Sequence, residues 1–178
     1  MKIIAISGSL KSTSSNTAIL RAMATMAGKD DSVTLFGGLG NLPHFSPEID
    51  GDKSPASVLE YRKQLRSSDG IIICTPEYAY GMPGVLKNAL DWVVGSGEFV
   101  DKPVAAISAS PSFLGGDKAH ASLVLTLGAI NARVAEGAQL TIPAIRNKIN
   151  SNAEILDPEL TKQLRAVLDA LIRAIKTN

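Results

Sequence analysis

The run Gly70-Ile71-Ile72-Ile73-Cys74 constrains the fold more than any other stretch of the chain. A strand built from it presents apolar side chains to both faces of its sheet, so both faces need cover and the strand belongs at the centre. Short apolar runs recur at Ile3–Ile6, Val33–Phe36 and Val104–Ile107, and Arg133–Ile142 contains a fifth strand. Helical patterns alternate with them at Thr17–Ala27, Ala56–Arg66, Gly84–Val94 behind Pro83, and Lys118–Ala129. A final helix begins at Asp157-Pro158-Glu159, with Leu160, Leu164, Val167, Leu168, Leu171, Ile172 and Ile175 on one apolar stripe. Gly37 to Asp52 reads as a long surface loop, rich in glycine, proline and polar residues. Strands alternating with helices predict an α/β fold: a doubly wound, five-stranded parallel sheet in one domain spanning residues 1–178.

Ligands of such sheets sit beyond the carboxyl ends of the strands. Three loops leave that edge: Gly8–Asn16, Thr75–Met82 and Ser108–Gly116. The first combines one glycine, several hydroxyls and Lys11, then opens into a helix. Free N–H groups and the helix dipole favour an anion there. The G-x-x-x-x-G-K-[ST] loop is excluded because Thr13 stands five after Gly8 and no Gly-Lys follows. The G-x-G-x-x-G fingerprint is excluded because Ser9 and Leu10 follow Gly8. Two readings remain: a hydroxyl-lined cradle for a monophosphate, or an ordinary turn capped by Ser14, Ser15 or Asn16.

In the second loop, Tyr78 and Tyr80 have rings suited to wall a flat heteroaromatic ligand, or to pack on the loop itself. Glu77 reads either as a base or as a turn-shaping residue with a solvated carboxylate, and its place beside Pro76 favours the latter. The third loop ends in Gly115-Gly116, which allows close approach of backbone N–H groups to a planar ligand, or serves as a plain flexible turn.

A net charge of +1, with no dense Lys/Arg patch, gives no support for nucleic-acid binding. The single cysteine, Cys74, excludes an internal disulfide and a cysteine-based zinc cluster. At the end of an apolar strand it reads as a buried hydrophobe rather than a nucleophile. His44 and His120 lie far apart in sequence, which argues against a metal site. No apolar stretch reaches membrane-span length, and the chain runs into its first strand with no separate signal segment; a cytoplasmic location is expected.

Taken together, Gly8-Ser9-Leu10 with Ser14-Ser15-Asn16, Pro76-Glu77-Tyr78-Ala79-Tyr80-Gly81, and Pro83-Gly84-Val85-Leu86-Lys87-Asn88-Ala89-Leu90-Asp91-Trp92 resemble the NADPH-dependent FMN reductases, a family that includes bacterial quinone, chromate and azo-dye reductases. Leu42-Pro43-His44-Phe45-Ser46-Pro47-Glu48 extends the similarity into the long loop. The resemblance implies a flavodoxin-like fold with strand order 2-1-3-4-5, FMN as cofactor, NADPH as co-substrate, and a homodimer or a dimer-of-dimers homotetramer. It places Ser9, Lys11, Ser14, Ser15, Asn16 and Thr17 at the FMN phosphate, and Pro76, Glu77, Tyr78, Tyr80 and Gly81 along the flavin ring. Ser110, Ser112, Gly115 and Gly116 fall in the third flavin loop.

The chain departs from the family pattern at several of these positions. Lys11 stands where arginine is common, Ala79 replaces a frequent asparagine, and Ser112 replaces a common glycine. Lys118 and His120 stand where arginine and glutamine are frequent, and Val124 where some chromate-reducing members have arginine. Lys87, Asn88, Asp91 and Trp92 read as structural or as subunit interface.

The implied activity is transfer of hydride from NADPH through FMN to a small acceptor: a quinone, a free flavin, an azo dye or a metal oxyanion. No catalytic side chain is required, since the flavin carries the chemistry. Two alternatives stand beside it: a flavodoxin-type electron carrier, disfavoured by the +1 charge, and a flavin-binding module without turnover.

Overall fold

The computed structural model describes every residue except Ser151, Ala153 and Asn178. Five strands, β1 (Lys2–Ser7), β2 (Ser32–Leu35), β3 (Gly70–Thr75), β4 (Pro103–Ala109) and β5 (Arg133–Ile142), form one sheet. Every neighbouring pair is parallel, as the alternation of strands and helices predicts, and the order is β2-β1-β3-β4-β5, as the family resemblance implies. The helices are α1 (Ser15–Met26), α2 (Ala56–Arg66), α3 (Gly84–Asp91), α4 (Asp117–Ala129) and α5 (Pro158–Lys176).

The period-two alternation of the strands splits the core into two layers. Ile3, Ala5, Ile72, Cys74, Ala105 and Ile107 pack with Ile19, Leu20 and Met23 of α1 and with Leu164, Leu168 and Leu171 of α5. Ile4, Ile6, Ile71, Ile73, Val104 and Ala106 face the opposite way, onto α2, α3 and α4 through Tyr61, Leu65, Leu86, Leu90, Leu123 and Leu127. Ile71, Ile72, Ile73 and Cys74 are all fully buried. Burying each isoleucine contributes about 1.5–3 kcal/mol, so this strand anchors both layers.

Boundaries differ from expectation where side chains intervene. Helix α1 starts at Ser15 rather than Thr17, because the Ser14 hydroxyl caps it by accepting from the Thr17 N–H at 3.4 Å. Helix α3 ends at Asp91 rather than Val94. Just beyond it, the Trp92 carbonyl, which an extended helix would use, accepts from Arg62 Nε at 3.0 Å. Arg62 also donates to Asp50 Oδ1 at 2.7 Å and Ser54 Oγ at 3.0 Å.

The long loop contains three short 3₁₀ turns and is fastened to α3. Trp92 Nε1 and Asn88 Nδ2 both donate to the Pro43 carbonyl, at 2.7 and 2.9 Å, and Asn88 Oδ1 accepts from the Phe45 N–H at 2.8 Å. The Phe45 ring meets Trp92 edge-on at 5.2 Å. Asn88 and Trp92 are thus structural residues, and Lys87 pairs with Asp91 at 2.6 Å along the helix surface.

At the far edge the β4–β5 register slips: Val104 pairs with Val134, but Ala106 pairs with Gln139. Gly137, at φ +75°, lies within the slip. Among the described residues no helix is long and apolar enough to cross a membrane.

Candidate functional site

The carboxyl edge of β1, β3 and β4 is built from three interlocked loops. In the first, the Gly8 N–H donates to the Cys74 carbonyl at 2.8 Å. A Cβ at Gly8 would stand 2.8 Å from Thr75 Oγ1, so only glycine lets the loop lie this close to β3. Ser14 is buried as the α1 cap. The Thr17 hydroxyl pairs with the Ser7 hydroxyl at 2.8 Å. The buried Asn16 side chain donates from Nδ2 to the Ala109 carbonyl at 3.4 Å and accepts from the Cys74 thiol at 3.2 Å.

Three of the six expected phosphate residues, Ser14, Asn16 and Thr17, therefore have side chains engaged in holding the loop. What faces outward is a different set. The N–H groups of Ser15 and Asn16, in the first turn of α1, have no helical acceptor. The hydroxyls of Ser9 and Ser15 are available as donors, and exposed Lys11 has no ion-pair partner among the described residues. Ser9 Oγ accepts only from the Lys11 N–H, at 3.3 Å. Burial pushes the Cys74 thiol pKa well up, consistent with a packing role.

In the second loop, the Tyr78 and Gly81 backbones exchange hydrogen bonds at 3.0 and 3.1 Å around a two-residue turn. Ala79 and Tyr80 occupy its centre with φ +48° and +59°. A turn with positive φ at both positions favours Asn-Gly, so Ala-Tyr holds strain here. The turn lifts Tyr80 to 83% exposure and Tyr78 to 56%. The exposure of Tyr80 argues against its ring packing on the loop, while Tyr78 stays partly covered.

Glu77 departs from expectation. Its carboxylate is not simply solvated: Oε2 accepts from the N–H groups of both Lys118 and Ala119 at 3.0 Å, capping α4 from a loop 41 residues earlier. The local N-cap position, Gly116, has φ +82° and no side chain to do so.

The third loop has little freedom. A Cβ at Gly115 would lie 2.9 Å from Pro143 N, and one at Gly116 would lie 3.3 Å from Glu77 Cβ; both glycines have positive φ. The Ser108 hydroxyl donates to the Gly115 carbonyl at 2.9 Å. The Gly115 N–H donates to the Ser112 carbonyl at 3.3 Å, so of the two glycine amides only that of Gly116 has no protein acceptor among the described residues. Ser110 is buried, and its hydroxyl donates to Ser112 Oγ at 3.2 Å. Gly115-Gly116 is thus a fixed wall rather than a flexible turn.

Sequence reasoning missed the contributions of Ser7 and Thr75, whereas its structural reading of Asn88 and Trp92 agrees with their bonds to the long loop. Ser108 had a signal, being a polar residue in the otherwise apolar and fully buried run Pro103–Ala109. His120, near the same edge, pairs through Nε2 with Gln139 Oε1 at 3.2 Å. A cavity of about 670 Å³ lies elsewhere, between the β5 slip and α5. Its lining mixes Arg133 and Arg173 with Glu136, and Arg133 already donates to the Ala174 carbonyl at 2.8 Å. Among the described residues no cluster of histidine, cysteine and carboxylates is placed to hold a metal ion.

Sheet order, a hydroxyl-lined loop opening α1, and two further loops on the same edge define the flavodoxin-like class. The fold of FerB, a flavoenzyme NAD(P)H:acceptor oxidoreductase from Paracoccus denitrificans, superposes with a TM-score of 0.82 at 27% identity, covering 99% of this chain and 97% of that one. Residues 1–147 match the model of the NADPH-dependent FMN reductases, and the chain belongs to that family. It is 31% identical over 173 residues to an NAD(P)H-dependent FMN reductase of Pseudomonas aeruginosa, covering 96% of this chain and 93% of that protein. It is 32% identical over 172 residues to a 2-hydroxy-1,4-benzoquinone reductase of a Burkholderia species, covering 95% and 93%.

The protein is accordingly an FMN-dependent NAD(P)H oxidoreductase. Free amides and hydroxyls at the start of α1 have the chemistry of a phosphate site, and exposed Tyr78 and Tyr80 and the Gly115-Gly116 turn lie on loops of the same sheet edge.

Proposed function

We propose that this edge binds FMN and reduces a quinone or a similar small acceptor at the expense of NADPH. The observation that carries the reading is that the α1 amides of Ser15 and Asn16, which have no helical acceptor, share one sheet edge with exposed Tyr78 and Tyr80 and the Gly115-Gly116 turn. Ser9, Lys11 and Ser15, with the amides of Ser15 and Asn16, grip the phosphate. Ser14, Asn16 and Thr17 hold that grip in shape. Pro76 to Gly81 and Ser110 to Gly116 orient the ring. When bound, FMN accepts hydride from the nicotinamide and passes reducing equivalents to the acceptor. No side chain here is needed as nucleophile or general acid. With the Tyr78–Gly81 turn exposed, one face of a bound ring would be open, and NADPH and acceptor would use it in turn.

In this reading the protein works in the cytoplasm as a homodimer or homotetramer. The test is an anaerobic titration of the purified protein with NADPH. Bleaching of the flavin absorbance, restored by a quinone, is expected. A flavin spectrum unchanged by NADPH would instead mark a carrier or a binding module.

A further inference from the structure

Resting on that reading, we propose that Glu77 is a positioning residue. Its carboxylate locks the flavin-facing edge by capping α4, and its charge occupies the amide end of that helix which would otherwise act on the bound ring. Glu77 stands between two walls of the site. Its backbone belongs to the loop that presents Tyr78 and Tyr80. Its Oε2 lies 3.0 Å from the N–H groups of Lys118 and Ala119, at the start of a 13-residue helix. Gly116 cannot cap that helix with a side chain, and a Cβ there would press on Glu77 Cβ at 3.3 Å. The carboxylate therefore supplies what the third loop lacks, and it couples the two walls. Carbonyls and hydroxyls elsewhere on this edge leave Glu77 unreplaced: Ser108 and Ser112 are committed to Gly115, and Ser110 to Ser112.

The charge has its own consequence. A helix N-terminus carries partial positive charge and stabilises a neighbouring anion. With the Glu77 carboxylate on that terminus, the positive end is largely neutralised. Reduced flavin carries more negative charge than oxidised flavin, so a neutral acceptor in place of the carboxylate should favour the reduced form.

Glu77→Gln and Glu77→Ala separate the two effects. The glutamine keeps a carbonyl oxygen to accept from Lys118 and Ala119 but removes the charge; the alanine removes both. In protein without FMN, amide exchange at Lys118 and Ala119 should accelerate about tenfold in E77A and stay near wild type in E77Q. With FMN, E77A should bind about tenfold more weakly. E77Q should weaken binding of oxidised FMN less than E77A does, with the ratio of affinities for reduced over oxidised FMN raised about threefold, read as a more positive midpoint potential. Unchanged exchange in E77A would overturn the cap, and an unchanged potential in E77Q would overturn the charge role. Failure of wild-type protein to bind FMN would overturn the flavin assignment and the charge role with it, while the exchange measurement still decides the cap.

Discussion

The thiol of Cys74 donates to Oδ1 of Asn16 at 3.2 Å, joining the end of the central strand to the first turn of α1. The same asparagine reaches the end of β4 through the Ala109 carbonyl. One buried side chain thereby ties together the strands that carry all three site loops. Asn16→Ala should cost about 1–3 kcal/mol, since it strands two buried partners. A thermal melt should fall by roughly 2–4 °C per kcal/mol at this chain length. Native Cys74 should resist a disulfide-exchange reagent at pH 8 and react only on unfolding; rapid stoichiometric labelling of folded protein would contradict its burial.

The phosphate grip predicts discrimination between FMN and riboflavin. Replacing both Ser9 and Ser15 by alanine should weaken FMN at least tenfold, as charge-assisted hydrogen bonds contribute about 1.5–3 kcal/mol each. Riboflavin affinity should barely change. Calorimetric titration of both ligands into wild type and variant checks this, and equal losses for the two would remove the phosphate from the loop.

In the proposed reading NADPH and acceptor share one face of the flavin, and this sets the kinetic order. Double-reciprocal plots for NADPH at several quinone concentrations should be parallel, and high quinone should inhibit competitively against NADPH. Converging lines would mean separate sites for the two substrates, with FMN binding left intact.

The turn at Ala79-Tyr80 holds two non-glycine residues at positive φ, which costs conformational energy. Ala79→Asn should stabilise the protein by up to about 1 kcal/mol, because asparagine tolerates positive φ where alanine does not. Melting curves without FMN measure it. A lower melting temperature would show that the Ala79 conformation is not costly.

Acid stability depends on two carboxylates. Arg62 holds the Asp50 pKa below its ordinary value of 3.8, and Lys148, at 2.6 Å, does the same for Asp157, which also caps α5. A lowered folded-state value gives stabilisation that is complete above the unfolded value and fades as pH falls through the folded one. Urea midpoints should therefore decline as pH drops below about 4. Asp50→Asn should lower the midpoint at pH 7 and flatten that decline; parallel wild-type and variant curves would rule out the contribution.

The parallel sheet was legible because Ile71–Cys74 and the shorter apolar runs leave few ways to be buried, its strand order came from the family resemblance alone, and the glycines at 8, 115 and 116 marked the edge where loops crowd. What could not be read were links between distant residues. Glu77 looked like a turn residue because its partners lie 41 and 42 positions away, and the Arg62–Asp50 pair sits between a helix and an apparently plain loop. Asn16 illustrates the limit well: its position at a helix start suggests a ligand, whereas its amide is spent on Ala109 and its oxygen on Cys74. Type and position suggest chemistry, but which lone pair remains free is decided by tertiary neighbours.

The slipped register of β5 bears on solubility. An outer strand with a regular row of unpaired N–H and C=O groups is a template on which another chain can add. Here the left-handed Gly137 breaks that row, and exposed Arg133 and Glu136 place charge beside it. Straightening the strand, for instance by deleting residues of the slip, would extend a flat ladder and invite sheet-to-sheet growth between molecules. The irregularity at this border thus lets the sheet stop at five strands.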